Sequence, residues 1–159
     1  LLVSPERLIA LDARVVLHEP DVTLEQLPKL AIRPYPTQYV SQWTMKDGTP
    51  VTIRPIRPED EPLVVKYHET LSEQSVYLRY FHLIKLSQRT SHERLSRICF
   101  IDYDCQMALV AEYTNPATGD REILGISRLS KVHGIDEAEF SMMVSDRVHN
   151  QGLGTELLR

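Results

Sequence analysis

SerAspArgValHisAsnGlnGlyLeuGlyThrGluLeuLeuArg, Ser145 to Arg159, is the stretch on which the reading of this chain turns. It follows an apolar run, Phe140 to Val144, and passes through a glycine-rich turn into a segment of helical texture. Strand, glycine turn and helix start together make an anion site. Gly152 and Gly154 can adopt backbone angles that bare their N–H groups, and the positive end of a helix dipole favours a phosphate lodged against them. A Walker loop requires lysine and then serine or threonine after its last glycine, whereas Gly154 is followed by Thr155 and Glu156. A dinucleotide fingerprint requires glycine or alanine where Leu157 stands. Both nucleotide readings are weakened, and the rest of the chain has to say which phosphate ligand the turn suits.

The 159 residues suffice for one ordinary domain and an arm, and 42% hydrophobic with 25% charged residues is a globular composition. A net charge of −4 and a pI near 5.9 argue against a nucleic-acid partner held by phosphate neutralisation. No apolar run is long enough to span a bilayer, so no membrane partner is expected. No charged-then-apolar signal pattern opens the chain, and Cys99 and Cys105 make a poor disulfide framework; a reducing, cytoplasmic setting is expected. No Cys/His spacing suits a metal. Starting at Leu1 and ending within a helical pattern, the chain reads as an excised piece.

Leu8 to Leu17 is apolar and β-branched enough for a strand, and Pro20, Pro28, Pro34 and Pro36 punctuate a linker with one short turn near Leu24 to Leu27. Asp47 and Gly48 predict a hairpin between Tyr39 to Met45 and Val51 to Ile56. Helical texture follows Arg57, with Pro58 and three acidic residues in the first turn and Leu63, Tyr67 and Leu71 as the buried stripe. Further helices are expected around Val76 to Phe81 and from Thr90 or Ser91, where Thr90 and Glu93 have capping-box spacing. Met107 to Tyr113 and Ile123 to Leu129 read as a hairpin about the turn Asn115 to Asp120, and Glu137 to Val144 is the strand leading into the glycine turn.

HisAsnGlnGlyLeuGlyThr, after a strand ending MetMetVal, resembles the acetyl-CoA pyrophosphate loop of the GCN5-related N-acetyltransferases (GNAT). ThrIleArgProIleArgProGluAspGlu at Thr52 to Glu61, SerValTyrLeuArgTyrPhe at Ser75 to Phe81, IleAspTyrAsp at Ile101 to Asp104 and MetAlaLeuValAla at Met107 to Ala111 look like the acetyltransferase domain of bacterial protein lysine acetyltransferases. LeuAspAlaArgValValLeu at Leu11 to Leu17 is similar to the closing strand of the ATP-grasp module in the ADP-forming acyl-CoA synthetase-like portion that precedes that domain in the family. The resemblance implies residues 1–38 as arm and linker from such an upstream domain and 39–159 as a GNAT domain. It implies an α/β fold with a mixed, mostly antiparallel central sheet flanked by helices. His149 stands where the family has Gln or Arg, and Cys105 and Gln106 stand where it often has Arg-Glu. Neither change removes backbone donors.

Acetyl transfer to an amine requires it neutral, and a lysine of pKa near 10.4 is neutral about once in a few thousand molecules at pH 7, so a base is needed. The family places a glutamate on the strand before the loop. Alternation puts Glu137, Glu139, Ser141 and Met143 on one face and Phe140, Met142 and Val144 on the other. Glu139 is the candidate base, with burial expected to raise its pKa, and Glu137 is the reserve. The resemblance implies that the backbone of Met142, Met143 and Val144 pairs with the pantetheine arm and polarises the thioester, and that Gln151, Gly152, Leu153, Gly154 and Thr155 hold the pyrophosphate. No covalent acyl-enzyme and no metal are required, so Cys99 and Cys105 are not nucleophiles. Tyr77, Tyr80 and Phe81 are expected in the core or lining the acceptor groove.

The activity so implied is transfer of acetyl from acetyl-CoA to a protein lysine, with a CoA-ligase enzyme as one acceptor the family suggests. The alternatives are a CoA-sensing or interaction module without turnover and a small-amine acetyltransferase. In the family a further strand and helix follow the loop and carry a tyrosine that protonates the leaving thiolate. The piece ending at Arg159 is therefore expected to bind acetyl-CoA poorly and turn over slowly or not at all.

Overall fold

The computed structural model describes residues 2–10, 12–15, 17–23, 26 and 34–159. The chain divides into two compact units, Leu1–Ala31 and Ile32–Arg159. In the first, two-residue strands β1 (Leu2–Val3) and β2 (Leu8–Ile9) pair antiparallel around a turn closed by Ser4, whose N–H donates to the Arg7 carbonyl at 2.8 Å. The strand expected over Leu8 to Leu17 is thus far shorter. Asp12 to Val15 are not in a strand, and Val15 and Leu17 are exposed, with no neighbouring strand among the described residues to hide their apolar side chains. Leu11, Val16 and nearly all of the turn expected at Leu24 to Leu27 lie outside the described residues.

The second unit is built on a five-stranded antiparallel sheet in the order β3 (Ser41–Thr44), β4 (Pro50–Pro55), β5 (Gln106–Thr114), β6 (Arg121–Lys131), β7 (Ala138–Val144). Every connection joins neighbours, so order in the chain equals order in the sheet. The hairpins turn where turn chemistry asks for it. Gly48 has φ +89° between β3 and β4, and Gly119 has φ +76° between β5 and β6, where the Ala117 N–H donates to Asn115 Oδ1 at 2.9 Å.

Four helices intervene between β4 and β5: α1 (Glu61–Glu69), α2 (Glu73–Tyr80), α3 (Leu86–Arg89) and α4 (His92–Cys99). One face of the sheet takes α1, α2 and α4 over a core of Ile56, Val64, Tyr67, Leu95, Val110 and Ile123; Met143 packs against its margin. The opposite face carries α5 (Leu153–Leu157) over Val51, Ile53, Ala111 and Leu124, with Met142 and Val144 at its margin. The capping box read at Thr90 and Glu93 is not formed. Ser91 is the N-cap residue of α4, and the Thr90 hydroxyl donates back to the Leu86 carbonyl at 2.9 Å, closing α3 instead.

Two buried contacts explain the proline-rich stretch before α1. Arg54 makes a bidentate pair with Asp60, 2.7 Å at each contact, and a 2.6 Å bond to Glu112 of β5. Asp60 also accepts from the Arg57 N–H at 2.8 Å. Burial alone would lower the Arg54 pKa, but the two carboxylates raise it, so the guanidinium stays charged. Tyr35, in the segment read as linker, donates its hydroxyl to the Pro55 carbonyl at 2.7 Å and stacks edge-on with Tyr103.

Candidate active site

The site begins with β7, the outer strand of the sheet. The Ser145 N–H donates to the Leu124 carbonyl at 2.8 Å, and pairing continues through Gly125↔Val144 and Ile126↔Met143. Antiparallel neighbours alternate between bonded and non-bonded pairs, so Met143 and Ser141 direct their backbone groups to β6, while Met142 and Val144 direct theirs to the open edge. The Val144 carbonyl meets His149 Nε2 at 3.1 Å, consistent with that orientation. The strand offers outward peptide groups at Met142 and Val144, one turn ahead of the glycines. Met143 contributes its side chain to the core and its carbonyl, which also accepts the Tyr67 hydroxyl at 2.7 Å.

The end of β7 is held from the helical side. Asp146 accepts from the Ser72 N–H, the Ser72 hydroxyl and the Ser75 hydroxyl, all at 2.8 Å, and so clamps the start of α2. Burial pushes its carboxyl up, but bonds from Ser72 and Ser75, helped by nearby His149, outweigh that and leave it below the ordinary carboxylate range. Thr70 and Ser145 share a 3.0 Å hydroxyl contact beside the clamp.

The chain then turns through Asn150 (φ +63°) and Gly152 (φ +87°) into α5. A Cβ on Gly152 would sit 3.4 Å from the ring of Trp43, with Lys46 Cε 3.7 Å away. The turn lies on Trp43, beside the stem of a lysine. Gln151 ties it to the β3–β4 hairpin, accepting from the Lys46 N–H at 3.2 Å on its carbonyl and from the Asp47 N–H at 3.1 Å on its side chain. The helix N-cap has no side-chain hydrogen bond, and the first intrahelical bond runs from the Glu156 N–H to the Gly152 carbonyl at 3.1 Å. The N–H groups of Leu153, Gly154 and Thr155 therefore belong to the uncapped first turn. Gly154 rests on Met142, whose Cε would be 3.3 Å from an added Cβ, so the glycine lets helix and strand approach.

Glu139 lines an open groove of about 430 Å³ with Arg79, Phe81, Val144 and His149. It is exposed, which corrects the expectation of burial: at the outer strand no further element covers residues 138–140 among those described. Glu137 precedes β7 and faces a different depression, beside Tyr103, Cys105 and Lys131, so the two glutamates do not share a site. A second cavity of about 550 Å³ adjoins the groove, the two sharing Arg79, Ser141, Met142 and Met143. Tyr80 lines this cavity and Phe81, though exposed, lines the Glu139 groove, while Tyr77 is exposed and lines neither. Burial and the carboxylates of Asp60 and Glu61 push the Cys99 thiol up to about 12, so it stays protonated. Among the described residues no group of three or more His, Cys, Asp or Glu side chains is gathered for a metal, and no helix is long and apolar enough to cross a membrane.

Sequence reasoning missed Trp43, Lys46, the Asp146 clamp and the hydroxyl of Tyr67. Their only signal in the sequence is composition; each acquires its role from a residue more than 70 positions away.

This antiparallel sheet, with helices on both faces and an open strand running into a glycine turn, is the fold of the GCN5-related N-acetyltransferases. The crystal structure of the GNAT domain of S. lividans PAT matches it with a TM-score of 0.67 and 25% identity, over 79% of this chain and 70% of that one. Acetyltransferase PA5475 of Pseudomonas aeruginosa is 29% identical over 116 residues, which are 73% of this chain and 60% of that protein. The chain thus spans about three fifths of the curated relative it matches. No protein-family model matches it.

Proposed function

We propose that the chain is an acetyl-CoA-dependent N-acetyltransferase acting on a protein lysine. The observation that carries this reading is the open edge of β7, with the outward backbone of Met142 and Val144 leading to the uncapped turn at Gly152, in a fold shared with a GNAT domain. The pantetheine amides of acetyl-CoA would pair with that edge as an added strand. The pyrophosphate would lie against the N–H groups of Gly152 to Thr155, with Lys46 adding charge. Gln151 contributes through its hold on the hairpin rather than through a free side chain.

In the reaction the lysine nitrogen attacks the thioester carbonyl carbon, the carbonyl oxygen gains charge against a β7 N–H, and the C–S bond breaks as the thiolate leaves with its electron pair. Glu139, in the groove beside Ser141 to Val144, takes the proton from the amine, directly or through water. Glu137 remains the reserve base for an acceptor that approaches from its own side. A CoA-ligase enzyme is the acceptor class that the resemblance of the sequence motifs implies, and free thiols at Cys99 and Cys105 support a cytoplasmic setting.

The test is mass spectrometry of lysate proteins after incubation with the full-length protein and isotopically labelled acetyl-CoA, which should yield labelled lysines. E139Q should lower kcat by about 10² to 10⁴-fold and remove the acidic limb of the pH profile; unchanged turnover across the pH series would sink the assignment of Glu139. One observation favours a CoA-sensing module instead: Glu139 is exposed on the outer strand, with no described element packed over it. Calorimetric binding of acetyl-CoA with no labelled protein would select that reading.

A further inference from the structure

The 550 Å³ cavity on the helical face is lined by four arginines, Arg79 from α2, Arg94 and Arg97 from α4 and Arg128 from β6, against one carboxylate, Glu93. Two are already engaged. Arg97 pairs with Glu93 at 2.6 Å, and Arg128 donates to Gln106 Oε1 at 2.7 Å and to the Ile98 carbonyl at 2.6 Å. Arg79 and Arg94 instead flank the ring of Tyr80, 5.0 and 5.2 Å from its centroid, and among the described residues neither has a hydrogen-bond acceptor. The Nε of Arg94 is buried without a partner. So is Nδ1 of His68, a side chain only 3% exposed that lines the same cavity. Burial, reinforced by Arg89 and Arg94, lowers the His68 pKa to about 4, so its ring is neutral at pH 7 and one nitrogen accepts a hydrogen bond.

Arg79 and Arg94 are half-buried, and a guanidinium with a buried, unpartnered Nε beside a buried, unpartnered imidazole nitrogen favours an anion that meets it; a planar N–H fork suits a carboxylate. We propose that this cavity is an anion subsite of the acceptor, taking a carboxylate carried close to the amine, so that the preferred acceptor is a lysine flanked by acidic side chains. This inference rests on the transferase reading above. The cavity meets the Glu139 groove along Ser141 to Met143, so a carboxylate held by Arg79 and Arg94 would keep the amine at the β7 edge. His68 would accept a hydrogen bond from an N–H of the same ligand.

The test uses the full-length protein, labelled acetyl-CoA and three acceptors: a blocked Glu-Lys-Glu peptide, a blocked Gln-Lys-Gln peptide and free lysine. The expected result is a KM about tenfold lower for the Glu-flanked peptide than for the Gln-flanked one, the size of one charge-assisted contact. R94Q should shrink that ratio to about twofold or less, judged only once its melting curve shows it folded. Preference for free lysine over both peptides would keep the carboxylate subsite and assign it to an α-carboxyl group. Equal KM values for both peptides in the unaltered protein with no preference for free lysine, or an unaltered ratio in folded R94Q, would overturn the proposal. Calorimetric titration with a Glu-Gln-Glu peptide, which has no amine to acetylate, separates the two readings. Binding that R94Q loses, with no acetyl transfer to any amine, sustains the subsite and rejects the transferase; transfer to lysines with no binding of this peptide rejects the subsite alone.

Discussion

At Gly152 one residue supports two functions, the left-handed bend and the contact with Trp43. An alanine there would hold φ near +87° against its own Cβ and press that carbon to 3.4 Å from the indole. G152A is expected to cost about 1–2 kcal/mol of stability from the backbone alone and to weaken acetyl-CoA binding more than tenfold by re-aiming the first-turn N–H groups. Calorimetric titration with acetyl-CoA beside a thermal melt measures both; tight binding by a folded G152A would remove the loop from the ligand site. Glycine at this turn is legible in the sequence because few other residues tolerate that φ. The exposure of Glu139 is not legible. Alternation gives its face, but whether that face is covered depends on what packs over β7, and the residue is exposed.

At the level of elements, the clamp from Asp146 to Ser72 and Ser75 sets α2 against the end of β7. It joins the helix that contributes Arg79 to the strand that presents Met142 and Val144. D146N keeps the shape but exchanges charged acceptance for a neutral amide and is expected to cost about 1–2 kcal/mol. The loss should appear as a lowered denaturant midpoint with an unchanged m-value, and as faster amide exchange at the start of α2. An unshifted midpoint would show the clamp to be dispensable. The elements themselves were largely readable: α1, α2, α4 and the strands β3 to β7 occupy the stretches their apolar spacing and turn residues predict. The two misreadings share a cause. The capping spacing of Thr90 and Glu93 and the apolar run from Leu8 are local patterns, and each was overruled by what the neighbouring segment did with its hydrogen bonds or its surface.

Across the whole molecule, acid should be the weak side. The pKa of His68 is depressed to about 4 in the fold against an ordinary value near 6.5, so the unfolded chain binds the extra proton between those values. Stability is then complete above about pH 6.5 and falls as pH drops toward 4, by roughly 3 kcal/mol from this group alone. Asp146, depressed below its ordinary range, adds a further loss at lower pH. A series of melting temperatures from pH 7.5 to 4 should show the decline, and H68Q should flatten it; an equal slope in H68Q would refute the assignment. The sequence by itself determined the order of elements, the alternation that splits β7 between two cores, and the glycine turn at its end, because these depend on local spacing and on φ. Only the tertiary structure decided that Arg79, Arg94, Arg97 and Arg128 converge on one cavity beside Ser141 to Met143. They come from two helices and a strand, and apart from the i,i+3 spacing of Arg94 and Arg97 in α4 nothing local in the sequence relates their side chains until those helices bury their apolar faces on the same side of one sheet.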